Sequence, residues 1–94
     1  AIAPNVSEYA REYLFLGTIG EEIEPGTHAI DVKNTINAGE PIEYIGPDIL
    51  YLEDDGFELL DGSFETLEKA DHGKTNYLKT DRPVKPGYII RKQV

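Results

Sequence analysis

The sequence predicts an all-β fold: a small closed or nearly closed β-barrel of about six to eight short strands, with at most one helical turn. Two stretches 48 residues apart carry the same pattern, Ile36-x-x-Gly39-x-x-Ile42 and Val84-x-x-Gly87-x-x-Ile90. Each follows a strand-like segment opening with threonine, Thr27 to Val32 and Thr75 to Thr80, and the offset also aligns Ile30 with Leu78. The physical sense is a strand, a short crossing with glycine at its corner, then a strand whose branched residue returns to the core. Glycine suits that corner because it takes positive φ without a Cβ clash. In addition, no segment of ten residues carries a convincing 3.6-residue period, and short turns punctuate the chain throughout.

Residues 1–8 read as a linker or lead-in, with Pro4, Asn5 and Ser7 and little to bury. Residues 9–94 form the single β-barrel domain. The first strand runs from Arg11, with Tyr13, Phe15 and Ile19 on one face and Leu14 and Leu16 on the other, so both faces are expected to be covered. Glu24-Pro25-Gly26 is a turn, with proline presetting φ and glycine taking the next corner. His28, Ile30 and Val32 then alternate against Thr27, Ala29 and Asp31 as a half-buried strand. Pro41 to Ile45 follows the first glycine corner, and Gly46-Pro47-Asp48 ends it.

Ile49 to Glu53 is strand-like again. Asp55-Gly56 and Asp61-Gly62 bracket Phe57 to Leu60, and because Asp-Gly is a strong hairpin signal, a meander is expected there. Ser63 to Lys69 reads as a strand or a single helical turn, and Asp71-His72-Gly73 as a loop. Thr75 to Thr80 and Tyr88 to Lys92 complete the barrel.

At 94 residues the chain is one domain, able to bury one modest core. No apolar run approaches the roughly 20 residues that span a bilayer, and no secretory pattern opens the chain. A soluble, cytoplasmic protein with no membrane partner is expected. With no cysteine there is no disulfide, thiolate nucleophile or cysteine-ligated metal within this chain. There is no methionine either, and the opening Ala1-Ile2-Ala3-Pro4 points to a piece of a longer protein.

The net charge of −9 opposes nonspecific nucleic-acid binding by the whole surface. The charge is uneven: residues 1–73 hold three basic and seventeen acidic side chains, whereas residues 74–94 hold six basic ones and only Asp81 as an acid. Lys74, Lys79, Arg82, Lys85, Arg91 and Lys92 are either a solvated segment balanced by acidic neighbours or a basic strip facing an anionic partner. Strand alternation splits them between faces, which favours the first. The tyrosines at 13, 44, 51, 77 and 88 are either core and rim packing or a stacking platform for bases, with Tyr77 and Tyr88 nearest the basic strip in sequence. The candidate binding residues are thus Lys74, Tyr77, Lys79, Arg82, Lys85, Tyr88 and Arg91.

Other constellations carry little. Glu53-Asp54-Asp55 with Glu58 and Asp61 is dense in carboxylates but lacks the ligand spacing of a calcium loop. His28 and His72 have no third ligand in sight, and His28 reads as a packed or rim residue. Gly73-Lys74-Thr75 imitates the tail of a phosphate loop, but Glu68 stands where that motif needs its first glycine. No nucleophile elbow surrounds Ser7 or Ser63. No catalytic residue, metal or cofactor is expected.

The stretch from His28 to Pro47 resembles the C-terminal β-barrel domain of the collagenase-like peptidase family U32. It carries Val32-Lys33-Asn34, the Ile36 to Glu40 corner, the alternating Ile42-Glu43-Tyr44 and Gly46-Pro47. Tyr13 to Gly17 matches the family's opening, while His72-Gly73-Lys74, Val84 to Gly87 and Ile89 to Lys92 match its end. The resemblance covers about Tyr9 to Lys92, and Tyr51 to Asp61 departs from the pattern. It implies the C-terminal module of a larger protein, partnered by the catalytic domain of the same polypeptide. Relatives act as peptidases, some on collagen, and others in RNA hydroxylation. The implied role is a noncatalytic accessory barrel that recognises a macromolecular substrate or docks onto the catalytic domain. The alternative is an RNA-binding or anionic-polymer-binding module of an RNA-modifying relative. No catalytic residue carries over, because the family's active-site motif lies outside this chain.

Overall fold

The computed structural model describes residues 12–94; the expected lead-in over residues 1–8 lies outside them. Ten strands follow in order, with no helix among the described residues. They are β1 (Tyr13–Glu24), β2 (Thr27–Val32), β3 (Ile36–Asn37), β4 (Ile42–Gly46), β5 (Ile49–Asp54), β6 (Glu58–Asp61), β7 (Thr66–Leu67), β8 (Lys69–Ala70), β9 (Asn76–Lys79) and β10 (Ile89–Gln93). The all-β expectation stands, with ten strands in place of the six to eight foreseen and a first strand of 12 residues. The segment from Ser63 to Lys69, open to a helical turn in the sequence, contributes β7 and the start of β8 instead.

Eight strands make one antiparallel sheet in the order β5-β4-β10-β1-β2-β9-β6-β7, and β3 pairs with β8 separately. Leu16, Ile19, Ile30, Val32, Ile42, Leu59, Leu78 and Ile90 fill the core between the curving strands. Ile36 and Ala70, opposed across β3 and β8, join the same core. Both repeated corners behave as their sequence foretells. Gly39 has φ 83° and Gly87 φ 97°, and a Cβ at either would meet nothing within 4 Å, so backbone conformation and not space demands glycine. The flanking Ile36, Ile42, Val84 and Ile90 are all buried.

The repeat also organises the pairing. β2 lies against β9 with Ala29 opposite Tyr77, and β4 lies against β10 with Glu43 opposite Arg91. Each of these opposed pairs is separated by the repeat offset, so the two units face each other about an approximate two-fold axis. Under that axis β1, which pairs first with β10 and then with β2, corresponds to β5 and β6 together, which pair with β4 and β9 respectively. The registers agree: Phe15 opposite Arg91 matches Glu53 opposite Glu43, and Ile19 opposite Ile30 matches Leu59 opposite Leu78.

The Asp55-Gly56 hairpin is therefore overturned. β5 and β6 do not pair; Asp55, Gly56 and Phe57 carry the chain from one end of the sheet to near the other. A connection of that length spans at most about 14 Å, which obliges the sheet to curl. Among the described residues no backbone ladder closes it. Side chains bridge the seam instead: the Thr80 hydroxyl donates to Asp54 Oδ2, which also accepts from Tyr44 Oη of the adjacent β4 at 2.8 Å, and Arg82 Nε donates to the Glu53 carbonyl at 3.0 Å. The Asp61-Gly62 turn does join β6 to β7, but its positive φ falls on Phe64 (65°). Asp61 Oδ1 accepts from the Ser63 and Glu65 amides and fastens that turn.

The leading strand needs a second correction. Tyr13, Leu14 and Phe15 are exposed, so its two faces are not both covered. A bulge between Phe15 and Gly17 inserts Leu16 as an extra residue, and the alternation changes phase there. Leu16 and Ile19 consequently both reach the core despite their opposite parity.

Candidate functional site

Structure disperses the basic C-terminal residues. Lys74 lies 3.9 Å from Asp71, Arg82 3.8 Å from Asp81, Lys85 3.0 Å from Asp48 and Arg91 3.0 Å from Glu43, and Lys92 contacts Glu40. Lys79 has no carboxylate within ion-pair distance among the described residues. Of the two aromatic candidates, Tyr77 stacks on Phe64 with ring centroids 4.7 Å apart. Tyr88 is buried, its ring lying where a Cβ on Gly46 would come within 2.2 Å. Its hydroxyl donates to Asp48 Oδ1 at 2.6 Å, beside the Lys85 ammonium on Oδ2. The Tyr88 hydroxyl and then Lys85 hold the Asp48 carboxyl below its ordinary value. Asp48 in turn pushes the Tyr88 hydroxyl up.

Two open clefts, each of about 630 Å³, lie on the surface. The first runs between the Pro25-Gly26 turn and the segment after β9, and is lined by Glu22, His28, Glu58, Lys79 and Arg82. His28 is only 4% exposed, and its Nδ1 is buried with no hydrogen-bond partner among the described residues. Such an orphan costs about 1–3 kcal/mol. The alternation of β2 placed His28 on the inner face, but nothing in the sequence signals the missing partner. Among the described residues no three His, Asp or Glu side chains converge on a point that would hold a metal.

The second cleft follows the outer face of β1, β10, β4 and β5, lined by Tyr13, Glu43, Tyr51, Glu53 and Arg91. The register sets Phe15, Arg91, Glu43 and Glu53 in one row across these strands. The Arg91 guanidinium sits 3.7 Å over the Tyr13 ring while pairing with Glu43. Lys92 on Glu40 holds that carboxyl below its ordinary value. Tyr13, Phe15, Tyr51 and Ile89 remain exposed, which gives this face apolar bodies around a neutralised charge pair. These groups suit binding; they make no nucleophile–base arrangement. Sequence reasoning selected Arg91 for this region and weighed Tyr13 and Tyr51 only as members of a general tyrosine platform, while Phe15 was missed; only the strand order brings them together.

Residues 11–91 match the model of the peptidase family U32 C-terminal domain. Among solved structures, the chain is similar to the C-terminal domain of a candidate U32 peptidase from Geobacillus thermoleovorans. Its selenomethionine variant superposes with a TM-score of 0.70 at 26% identity, over 84% of this chain and 99% of that one. A second structure of that domain gives a TM-score of 0.70 at 22% identity, over 85% and 91% of the respective chains. No curated protein matches.

Proposed function

The chain belongs to the peptidase family U32 C-terminal domain family, and from that premise we propose that it is a noncatalytic, barrel-like accessory module. It docks onto the catalytic domain of the same polypeptide and helps that domain hold a macromolecular substrate. The observation that carries this reading is the outer face of β1, β10, β4 and β5. Tyr13 and Phe15 on that face are 38% and 42% exposed at the leading end of β1. Clustered aromatic and aliphatic side chains around a half-buried Arg are the usual composition of an interface centre. The placement of the basic residues gives the RNA-binding alternative no support, since five of the six contact carboxylates.

The test uses the full-length parent enzyme carrying Tyr13→Ser and Phe15→Ser. Turnover of a large protein substrate is expected to fall about tenfold, while turnover of a short peptide is unchanged and domain–domain cross-linking is lost. Unchanged turnover of both substrates on deleting the whole domain would overturn the reading, as would hydrolysis by the 94-residue chain alone.

A further inference from the structure

We propose that the first cleft binds a primary α-ammonium group with a carbonyl or carboxylate on the next carbon, as in a free amino acid or a peptide's amino terminus. His28 lines it, buried, with an Nδ1 that has no hydrogen-bond partner among the described residues. Packing alone asks for no nitrogen there: Ile30 and Val32 share its face of β2, and Leu78 stands opposite it on β9. An unpaired buried polar atom is costly, and ligand binding is one reason to keep it. Glu22 stands opposite His28 on β1 and lines the same cleft. The register of β1 shifts on both sides of Glu22, between Ile19 and Glu22 and between Glu22 and Glu24. Such bulges re-aim side chains and gather beside functional sites. The Glu22 carboxylate is held at the rim, where Oε2 accepts from the Gly26 amide at 3.3 Å.

Charge selects the occupant. Glu58 and Lys79 are opposed across β6 and β9 and both line the cleft, yet they form no ion pair. Glu22 likewise has no cation partner among the described residues. Arg82, by contrast, is committed: its Nε donates to the Glu53 carbonyl and its Nη1 lies 3.8 Å from Asp81. Two unpaired carboxylates and the acceptor nitrogen of a neutral imidazole match the three donors of an ammonium. Lys79 then donates to the oxygen on the adjacent carbon. A simple anion would be repelled by Glu22 and Glu58, and a simple amine would leave Lys79 unanswered. In the bound state a half-turn of the His28 ring exchanges Nδ1 with a ring carbon, leaves the side-chain outline unchanged and presents the nitrogen to the ligand. The cleft shares no lining residue with the second one on the outer face of β1, β10, β4 and β5. The site is therefore independent of the docking role, and failure of one leaves the other standing.

The experiment titrates the nitrogen-15-labelled 94-residue chain with the tripeptide Leu-Gly-Gly, its N-acetylated form, free leucine and acetate, read by magnetic resonance. Leu-Gly-Gly is expected to shift a ring nitrogen of His28 and the Gly26 and Lys79 amides, while the ring of exposed His72 stays still. The N-acetylated form should bind about tenfold more weakly or not at all, and Glu22→Gln should weaken the tripeptide about fivefold. His28→Leu, expected to be at least as stable as the parent, should lose the binding. Whichever of leucine and the tripeptide binds more tightly identifies the source, and either one acting through His28 upholds the site. No response to either up to about 10 mM overturns the proposal. So do undiminished binding of the N-acetylated form, acetate binding as tightly as the tripeptide, undiminished binding by folded His28→Leu, or shifts confined to the outer face of β1 and β10.

Discussion

Glu43 and Arg91, 48 positions apart in the chain, are opposed across β4 and β10 and share a 3.0 Å ion pair. They occupy equivalent places in the two halves of the repeat, so the pair sits next to the approximate two-fold axis. Their side chains are 15% and 27% exposed, and Tyr13 covers the guanidinium. A double-mutant cycle with Glu43→Gln and Arg91→Gln is expected to give a coupling of about 1 kcal/mol, at the upper end for surface pairs. Raising the salt should shrink it. Arg91→Gln alone should cost more than Glu43→Gln, because it also loses the cation–π contact, worth about 0.5–1 kcal/mol. Urea denaturation of the four proteins checks both statements.

The seam at Asp54 gives a pH prediction. Burial first, and then the Asp54 carboxylate, push the Tyr44 hydroxyl well above its ordinary value of 10.0. The folded-state value is the higher one, so its contribution to stability is complete below about pH 10 and is lost as pH rises through the folded value. Melting temperature should therefore fall steadily above pH 10, and Tyr44→Phe should flatten the decline. At neutral pH the same substitution leaves buried Asp54 with one donor fewer and should cost about 1–3 kcal/mol. Thermal melts across the alkaline range test both effects.

Gly39 and Gly46 are both irreplaceable, for different reasons. Gly39→Ala strains a φ of 83° with open space around it, at about 1–2 kcal/mol. Gly46→Ala drives its methyl into the Tyr88 ring, an overpacking of about 1–3 kcal/mol. In a Tyr88→Ala background the Gly46→Ala cost should largely disappear while the Gly39→Ala cost persists. Equal residual costs in that background would contradict the assignment.

His28→Leu removes the buried, unpartnered Nδ1 and keeps an apolar body in β2. Stability is expected to rise, by up to about 1 kcal/mol, because the orphan's desolvation cost disappears. A loss of stability on chemical denaturation would mean that the nitrogen has a partner in solution.

Local chemistry made much of the fold legible. Pro25-Gly26, Gly39 and Gly87 announce their turns because positive φ is a property of one residue, and β2 is read to its ends from the alternation of His28, Ile30 and Val32, although Thr27 is buried beside them. Leu16 defeated the same method, since one inserted residue reverses the face of everything before it. Asp55-Gly56 misled for a related reason. It has hairpin chemistry, but the strands beside it find partners in β4 and β9, far away in the chain. The candidate site was less legible still. Lys85, Arg91 and Lys92 look like free cations in sequence, yet their partners Asp48, Glu43 and Glu40 lie 37, 48 and 52 positions away.

By itself the order of amino acids decided the all-β class, the glycine corners, the doubled unit and the family resemblance. These follow from conformational preferences acting over a few neighbouring residues. Tertiary structure alone decided that β5 and β6 divide the work that β1 does in one piece. It also decided that the cations are mostly spoken for and that the buried His28 Nδ1 has no hydrogen-bond partner among the described residues. Those outcomes depend on which distant strands exclude water together, and pairing across dozens of residues leaves no local mark.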